Sequence, residues 1–275
     1  MGERERVRAW RPSVPGIAEV FHARFVEHAY PMHTHDTWTL LIVDSGAIRY
    51  DLDRDAHATL AATVTLLPPH VPHDGRAASA DGFRKRVLYL EPGVLDPTTI
   101  GAAVDSPAIN DLALRERIDA LHGALSEPGD EFEAESRLAF IQDRLRRHLA
   151  RRGARQPGEG TRAAPRVAAR LRALLDERGS TGLTLRDAAQ QLGAHPAHLV
   201  RAFTAAFGLP PHAYLTGRRV DAARRMLLEG MPPAQVAAAT GFYDQAHLTR
   251  HFSRYLGVTP ARYARCSGRG NRALS

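Results

Sequence analysis

Leu185-Arg-Asp-Ala-Ala-Gln-Gln-Leu-Gly193, running into Pro196-Ala-His-Leu-Val-Arg-Ala-Phe203, is echoed further along by Val236-Ala-Ala-Ala-Thr-Gly241, running into Asp244-Gln-Ala-His-Leu-Thr-Arg-His-Phe252. In each copy a small residue (Ala189, Ala237) lies four positions before a turn glycine (Gly193, Gly241), and a leucine (Leu199, Leu248) then anchors a second helix. Two short helices that cross steeply need a small side chain at closest approach, a turn residue free of backbone restriction and an apolar anchor. One such match is common in helical bundles. Two in tandem point to a pair of helix-turn-helix units, and therefore to DNA.

Local signals set the helix limits. Thr184 with Asp187 has the form of a capping box, and Pro196, Pro211 and Pro233 sit where a first-turn proline is expected. Leu199, Phe203 and Phe207 form one buried face, and Leu248, Phe252, Tyr255 and Leu256 another. The 3.6-residue period then assigns the opposite faces. These carry Ala197, Val200, Arg201 and Thr204 on the first reading helix (196–207). On the second (244–256) they carry Ala246, Thr249, Arg250 and Ser253, with Gln245 and His247 near its start. Arginine can bond both guanine acceptors, glutamine can pair with adenine, and Ala, Val or a Thr methyl can meet the thymine methyl. Arg201 and Arg250 occupy matched positions. Arg219 shares a stripe with Leu215, Ala222 and Met226, which marks a structural arginine with a buried stem.

Charge agrees. Residues 165–275 carry 16 Arg against 6 acids, whereas the first 164 residues carry 21 basic against 24 acidic groups. A basic C-terminal part suits a phosphate-rich partner. The single cysteine, Cys266, excludes an internal disulfide and a cysteine-based zinc site. No apolar run is long enough to span a bilayer and the charged N-terminus lacks a signal-peptide core. The expectation is a cytoplasmic protein without membrane contact.

The front of the chain has a different grammar. Trp38-Thr-Leu-Leu-Ile-Val43, Ala47-Ile-Arg-Tyr-Asp-Leu52, Thr63-Val-Thr-Leu-Leu67 and Arg86-Val-Leu-Tyr-Leu90 are short β runs separated by turn signals, the pattern of a sandwich or barrel. From residue 106 the period becomes helical, through Leu114, Ile118, Leu121, Leu125 and then Leu138, Ile141, Leu145, Leu149. These stripes predict an antiparallel helical hairpin that packs on the barrel or supplies a dimer interface, the latter being favoured. Residues 153–164 read as a linker. His33 and His35 point to one side of a strand, and His73 returns from a later strand, so three imidazoles converge inside a small barrel.

Residues 165–266 resemble the DNA-binding domain of the AraC/XylS family of bacterial transcription regulators. The resemblance rests on Leu185 to Phe207, the stretch Tyr214 to Leu228, Ala239-Thr-Gly-Phe242, and Phe252 to Tyr263. It implies two reading helices held by a long helix and set in successive major grooves, about one helical turn apart. His195 departs from the usual serine cap, leaving the first reading helix less firmly fixed at its start. Residues 15–95 resemble the cupin-like sensor domain of AraC-type regulators through His33-Thr-His35-Asp36, Ser45-Gly46 and Pro69-His-Val-Pro-His-Asp-Gly75.

The fold expected is a two-domain α+β chain. It comprises a cupin-like effector-binding β-barrel (1–105), a helical hairpin (106–152), a linker (153–164) and an all-α domain with two helix-turn-helix motifs joined by a long helix (165–275). The function implied is sequence-specific transcription control by a small effector. Its partners are double-stranded DNA, a second copy of the chain in a homodimer and, for an activator, RNA polymerase. Metal-binding cupins carry a Glu shortly after the His-x-His pair, and none stands there. His33, His35 and His73 are therefore read first as ligand-lining, with no cofactor required. A divalent metal on the same three histidines stays open. A metal-dependent cupin enzyme fused to a DNA-binding module is the alternative, and the incomplete ligand set argues against it.

Overall fold

The mostly apolar first six residues of Trp38–Gly46 (β4) are buried on both faces of the strand. The computed structural model describes residues 5–53, 55–60, 62–126, 129–153, 165–180 and 183–267. The other strands are β1 Arg6–Trp10, β2 Ile17–Phe25, β3 Tyr30–His33, β5 Ile48–Leu52, β6 Asp55–Thr59, β7 Val64–Leu67, β8 His73–Ala77, β9 Phe83–Leu90 and β10 Ala108–Ile109. They form a six-stranded sheet, β1-β2-β9-β4-β7-β10, and a four-stranded sheet, β3-β8-β5-β6. The two sheets face each other and enclose the interior of the cupin-like domain, with β4 central between β9 and β7.

Strand alternation sorts the six-stranded sheet into two jobs. Trp38, Leu40, Ile42, Val64, Leu66, Leu88 and Leu90 point outward and share one core with the helical hairpin. That hairpin is Leu112–Ala124 (α2), which follows the short helix Ile100–Asp105 (α1), and Glu131–Gly153 (α3). Leu114, Ile118, Leu121, Leu138, Ile141, Leu145 and Leu149 are all buried in this core. The leucine stripes are thus consumed within the chain and are not free to form the dimer interface expected of them. The apolar side chains left exposed lie elsewhere on the hairpin, at Leu112, Phe132 and Phe140.

The opposite face of the sheet meets the C-terminal domain. Its helices are α4 Arg166–Arg178, α5 Leu185–Leu192, α6 Pro196–Phe207, α7 Pro211–Leu228, α8 Pro233–Ala239, α9 Gln245–Leu256 and α10 Pro260–Ser267. The first motif, α5–α6, has a core of its own with α4 and the start of α7: Leu171, Leu175, Ala189, Leu199, Phe203 and Tyr214. The second, α8–α9, does not. Val236, Phe242, Leu248, Phe252 and Tyr255 belong to one continuous cluster with Phe21, Phe25, Val43 and Phe83 of the sheet. The two motifs repeat in sequence but differ in what supports them. The predicted linker falls almost wholly at 154–164, outside the described residues.

Polar contacts cross the same boundary. Arg224 on α7 donates to Glu19 on β2 at 2.7 Å and lies 4.1 Å over the Tyr89 ring. Tyr263 on α10 also donates to Glu19. Both ions are almost fully buried, so neither can be rehydrated if its partner is lost. Replacing Glu19 by Ala leaves the Arg224 charge without its main counter-ion and is expected to cost about 3–5 kcal/mol. Urea unfolding of the full chain measures this. A loss under about 1 kcal/mol would show that Arg224 finds water in the variant, contrary to the burial described.

Candidate functional site

The turn geometry of both motifs follows from their glycines and caps. Gly193 (φ 60°) and Gly241 (φ 79°) hold left-handed backbone that side-chain-bearing residues resist. The predicted capping box is present: Asp187 N–H donates to Thr184 Oγ1 while Thr184 N–H donates to Asp187. His195 caps α6 after all, its Nδ1 accepting from Ala197 N–H at 3.2 Å. An imidazole nitrogen has the acceptor lone pair that the serine would have supplied, so the expected weakness at this helix start is corrected. Asp244 caps α9 by accepting from His247 N–H. Arg219 donates twice to the Gly179 carbonyl, at 3.0 and 2.7 Å, which is the structural role assigned to it.

The reading faces are largely open. Arg201, Ala197, Arg250, Gln245 and Ala246 are exposed, and Val200, Thr204 and Thr249 are half-buried. Thr249 Oγ1 donates to the Gln245 carbonyl, which ties down the hydroxyl. Two expected members are placed differently. His247 packs against Phe242 and His251, and its Nδ1 accepts from Tyr243 N–H, so it helps cap its own helix. The Ser253 hydroxyl is buried. Helical period alone put both on the outer face; the ring cluster beside His247 was not legible from spacing.

Other exposed side chains beside the reading helices were not singled out from sequence. Tyr243, in the turn of the second motif, is 92 % exposed. Arg166, Arg170, His195 and His198 line an open groove beside the first turn. The signal for the groove was present in Arg166 and Arg170, one helical turn apart on α4.

The reading helices meet the N-terminal domain at their far ends. Gly208 and Gly257 terminate α6 and α9. A side chain at Gly208 would touch Pro72, and one at Gly257 would run into the Phe25 ring at 2.5 Å. The N-terminal starts of both helices, where base-edge contacts concentrate in this motif, therefore point away from the sensor.

Inside that domain the three histidines do converge. His33, His35 and His73 are buried, with one ring nitrogen of each within 4.8 Å of the others. They line a cavity of about 40 Å³ together with Tyr30, Thr39 and Lys85. Burial, reinforced by the neighbouring rings, holds His33 well below the usual imidazole range and pushes His73 down to about 3. Burial likewise lowers Lys85, the one lysine of the chain, to about 7, with the Arg224 charge adding to the effect. Its ammonium lies 4.1 Å over the Tyr30 ring. Among the described residues no carboxylate joins the three histidines as a potential metal ligand.

A second set of contacts links this cluster to the long helix α7. His35 Nδ1 donates to Asp221 Oδ1 at 2.9 Å. Asp36, the residue after it, pairs with Arg218 and lies 3.7 Å from Arg225. No sequence signal paired these residues, because they are far apart along the chain.

Known proteins bear the same parts. Residues 16–142 match the family described as the AraC-like ligand binding domain, and residues 188–265 match the helix-turn-helix domain family. The chain is 24% identical over 242 residues to the uncharacterized HTH-type transcriptional regulator YbfI of Bacillus subtilis, covering 84% of this chain and 85% of that one. It is 29% identical over 93 residues to the virulence regulon transcriptional activator VirF of Yersinia enterocolitica, 34% of each chain. The fold matches ToxT from Vibrio cholerae with a TM-score of 0.59 at 10% identity, over 96% of this chain and 98% of that one. No helix among the described residues is long and apolar enough to cross a membrane. The chain is a transcriptional regulator with an AraC-like ligand-binding domain in front and a helix-turn-helix domain behind, and both parts resemble the AraC/XylS family.

Proposed function

We propose that the chain reads an asymmetric DNA site through two helices and that occupancy of the histidine-lined cavity controls this reading. The observation that carries the proposal is structural continuity: the second motif shares its core with the sensor sheet, while the reading faces stay open. Ala197, Val200, Arg201 and Thr204 read one major groove; Gln245, Ala246, Thr249 and Arg250 read the next. Arg166, Arg170 and His198 suit the phosphates beside the first motif, where contacts position the protein without reading sequence. Arg201→Ala or Arg250→Ala should lose about 1–3 kcal/mol of specific binding, with altered site preference. Selection of bound sites from random DNA, followed by gel-shift titration, measures both. Unchanged affinity and preference in both variants would remove the groove-reading assignment.

The effector we propose is a small carboxylic acid. The Lys85 amine lines the cavity with no ion-pair partner among the described residues, so a bound carboxylate would hold it in its cationic form, and Tyr30 OH and Thr39 Oγ1 beside it lack hydrogen-bond partners there. Solved ToxT structures hold an unsaturated fatty acid and a naphthalenyl butenoic acid, both carboxylic acids. A cavity of about 40 Å³ holds only a few water-sized groups, so a short acid fits here and a long acyl chain does not. Thermal shift against short carboxylic acids and their amides should show stabilisation by the acid alone, abolished in Lys85→Met. Equal shifts by acid and amide would discard the charge-pairing role.

We also propose a homodimer, formed through the exposed side of the hairpin rather than its leucine stripes. Phe132 and Phe140, 83 % and 61 % exposed, lie two turns apart on α3, with Leu112 exposed at the start of α2. Sedimentation equilibrium should find a dimer that the double change Phe132→Glu and Phe140→Glu converts to monomer. A dimer that survives both changes would place the contact elsewhere.

A further inference from the structure

The three histidines are fixed in tautomer as well as in place. His33 Nδ1 lies 2.7 Å from the Pro31 carbonyl oxygen, and His73 Nδ1 lies 3.0 Å from the Val71 carbonyl oxygen. A carbonyl only accepts, so each of these Nδ1 atoms carries the ring proton. His35 Nδ1 faces the Asp221 carboxylate at 2.9 Å and donates in the same way. A neutral imidazole has one N–H and one lone pair. With all three rings neutral, every Nε2 is a bare acceptor. His33 Nε2 and His35 Nε2 nevertheless stand 3.1 Å apart. Two lone pairs at that range repel each other unless a proton or a metal ion lies between them, and a metal serves all three rings at once.

That spacing has a natural occupant. Zinc–nitrogen bonds of 2.0–2.1 Å at a tetrahedral centre place two imidazole nitrogens about 3.3 Å apart. The third ring is at hand: the His73 centroid is 4.5 Å from that of His33 and 5.2 Å from that of His35. Metal-bound histidines characteristically donate their other N–H to a carboxylate or a backbone carbonyl, which orients the ring and raises its basicity. His33, His35 and His73 all have such a partner. The missing Glu leaves three neutral ligands and one further position, the ligand count of open zinc sites.

The partner of His35 comes from the other domain. Asp221 belongs to α7, the helix that joins the two helix-turn-helix motifs, and is 7% exposed. The ring of His33 also meets Tyr255 of the reading helix α9, with centroids 5.8 Å apart. The cluster lies in the sensor, yet one of its outer contacts comes from the DNA-binding domain.

We propose that His33, His35 and His73 bind a divalent transition-metal ion of the zinc class, and that Asp221 is the outer-sphere positioning residue that couples occupancy to docking of the DNA-binding domain. A metal on Nε2 makes the His35 Nδ1–H a stronger donor to Asp221, and by linkage the docked domain tightens the metal. The metal chemistry stands on the ring geometry; its consequence for DNA binding rests on the regulatory reading of the cavity given above.

The test uses the full-length protein, stripped with a chelator and titrated with Zn²⁺ or Co²⁺. Wild type should bind one zinc per chain, and its cobalt form should show the visible absorption of a four-coordinate nitrogen-ligated site. His33→Gln with His73→Gln should remove that site while the chelator-treated protein keeps its melting temperature. Asp221→Asn should still bind one ion, about 10–100-fold more weakly, and gain less thermal stability from zinc than wild type. Absence of stoichiometric metal in wild type, or equal binding by the histidine double variant, overturns the site. Unchanged zinc affinity in Asp221→Asn overturns the interdomain link. Gel shifts on the same samples separate the two readings, because loss of DNA binding in Arg201→Ala does not depend on whether zinc binds.

Discussion

The buried charge network around Glu19 is the constraint on which the arrangement of this protein depends. Arg224 and Tyr263 from the DNA-binding domain converge on one carboxylate of the sensor sheet, and Asp221 turns the other way to His35. Charges that are nearly inaccessible to water must find their partners or remain desolvated at high cost. The network therefore permits one docking of α7 against the sheet and penalises a slide or rotation. Hydrophobic contact supplies area at that boundary; the ions supply register.

This constraint falls unequally on the two motifs. The first has a separate core built from α4, α5, α6 and the start of α7, met from the sensor by Met32. The second leans on Phe21, Phe25 and Phe83 of the sensor. A change inside the cavity, whose wall includes His33 and Tyr89, reaches Tyr255 and Arg224 through direct contacts. The first motif is reached differently, through Asp36, Arg218 and Asp176 of α4, whose carboxylate accepts from Tyr214. The second motif thus shares its core with the sensor sheet, whereas the first meets the sensor through ion pairs and the apolar Met32 side chain.

Much of the candidate DNA interface was legible in sequence because helix-turn-helix units are locally encoded. Small residue, glycine, cap and apolar anchor all lie within one short window, and the 3.6 period then assigns the exposed face. At His247 and Ser253, both half-buried on the face the period assigns, local packing and capping engage part of the side chain. His195 shows the opposite case, in which an unexpected residue type performs the usual capping chemistry. The leucine stripes of the hairpin were read correctly as buried faces, but periodicity does not say whether the covering partner is the same chain or another copy. Here it is the outer face of the chain's own sheet.

The sequence by itself determined the class of the protein, its two reading helices and the three histidines facing one side of a β fold. These depend on spacings along the chain and on residue chemistry. Only the tertiary structure decided that the histidines share a cavity with Lys85, that their tautomers are set by two carbonyls and a carboxylate, and that this carboxylate is Asp221. The same holds for the pairing of Glu19 with Arg224. A buried ion pair between residues distant in sequence leaves no periodic trace, because its partners are chosen by where the folded chain excludes water.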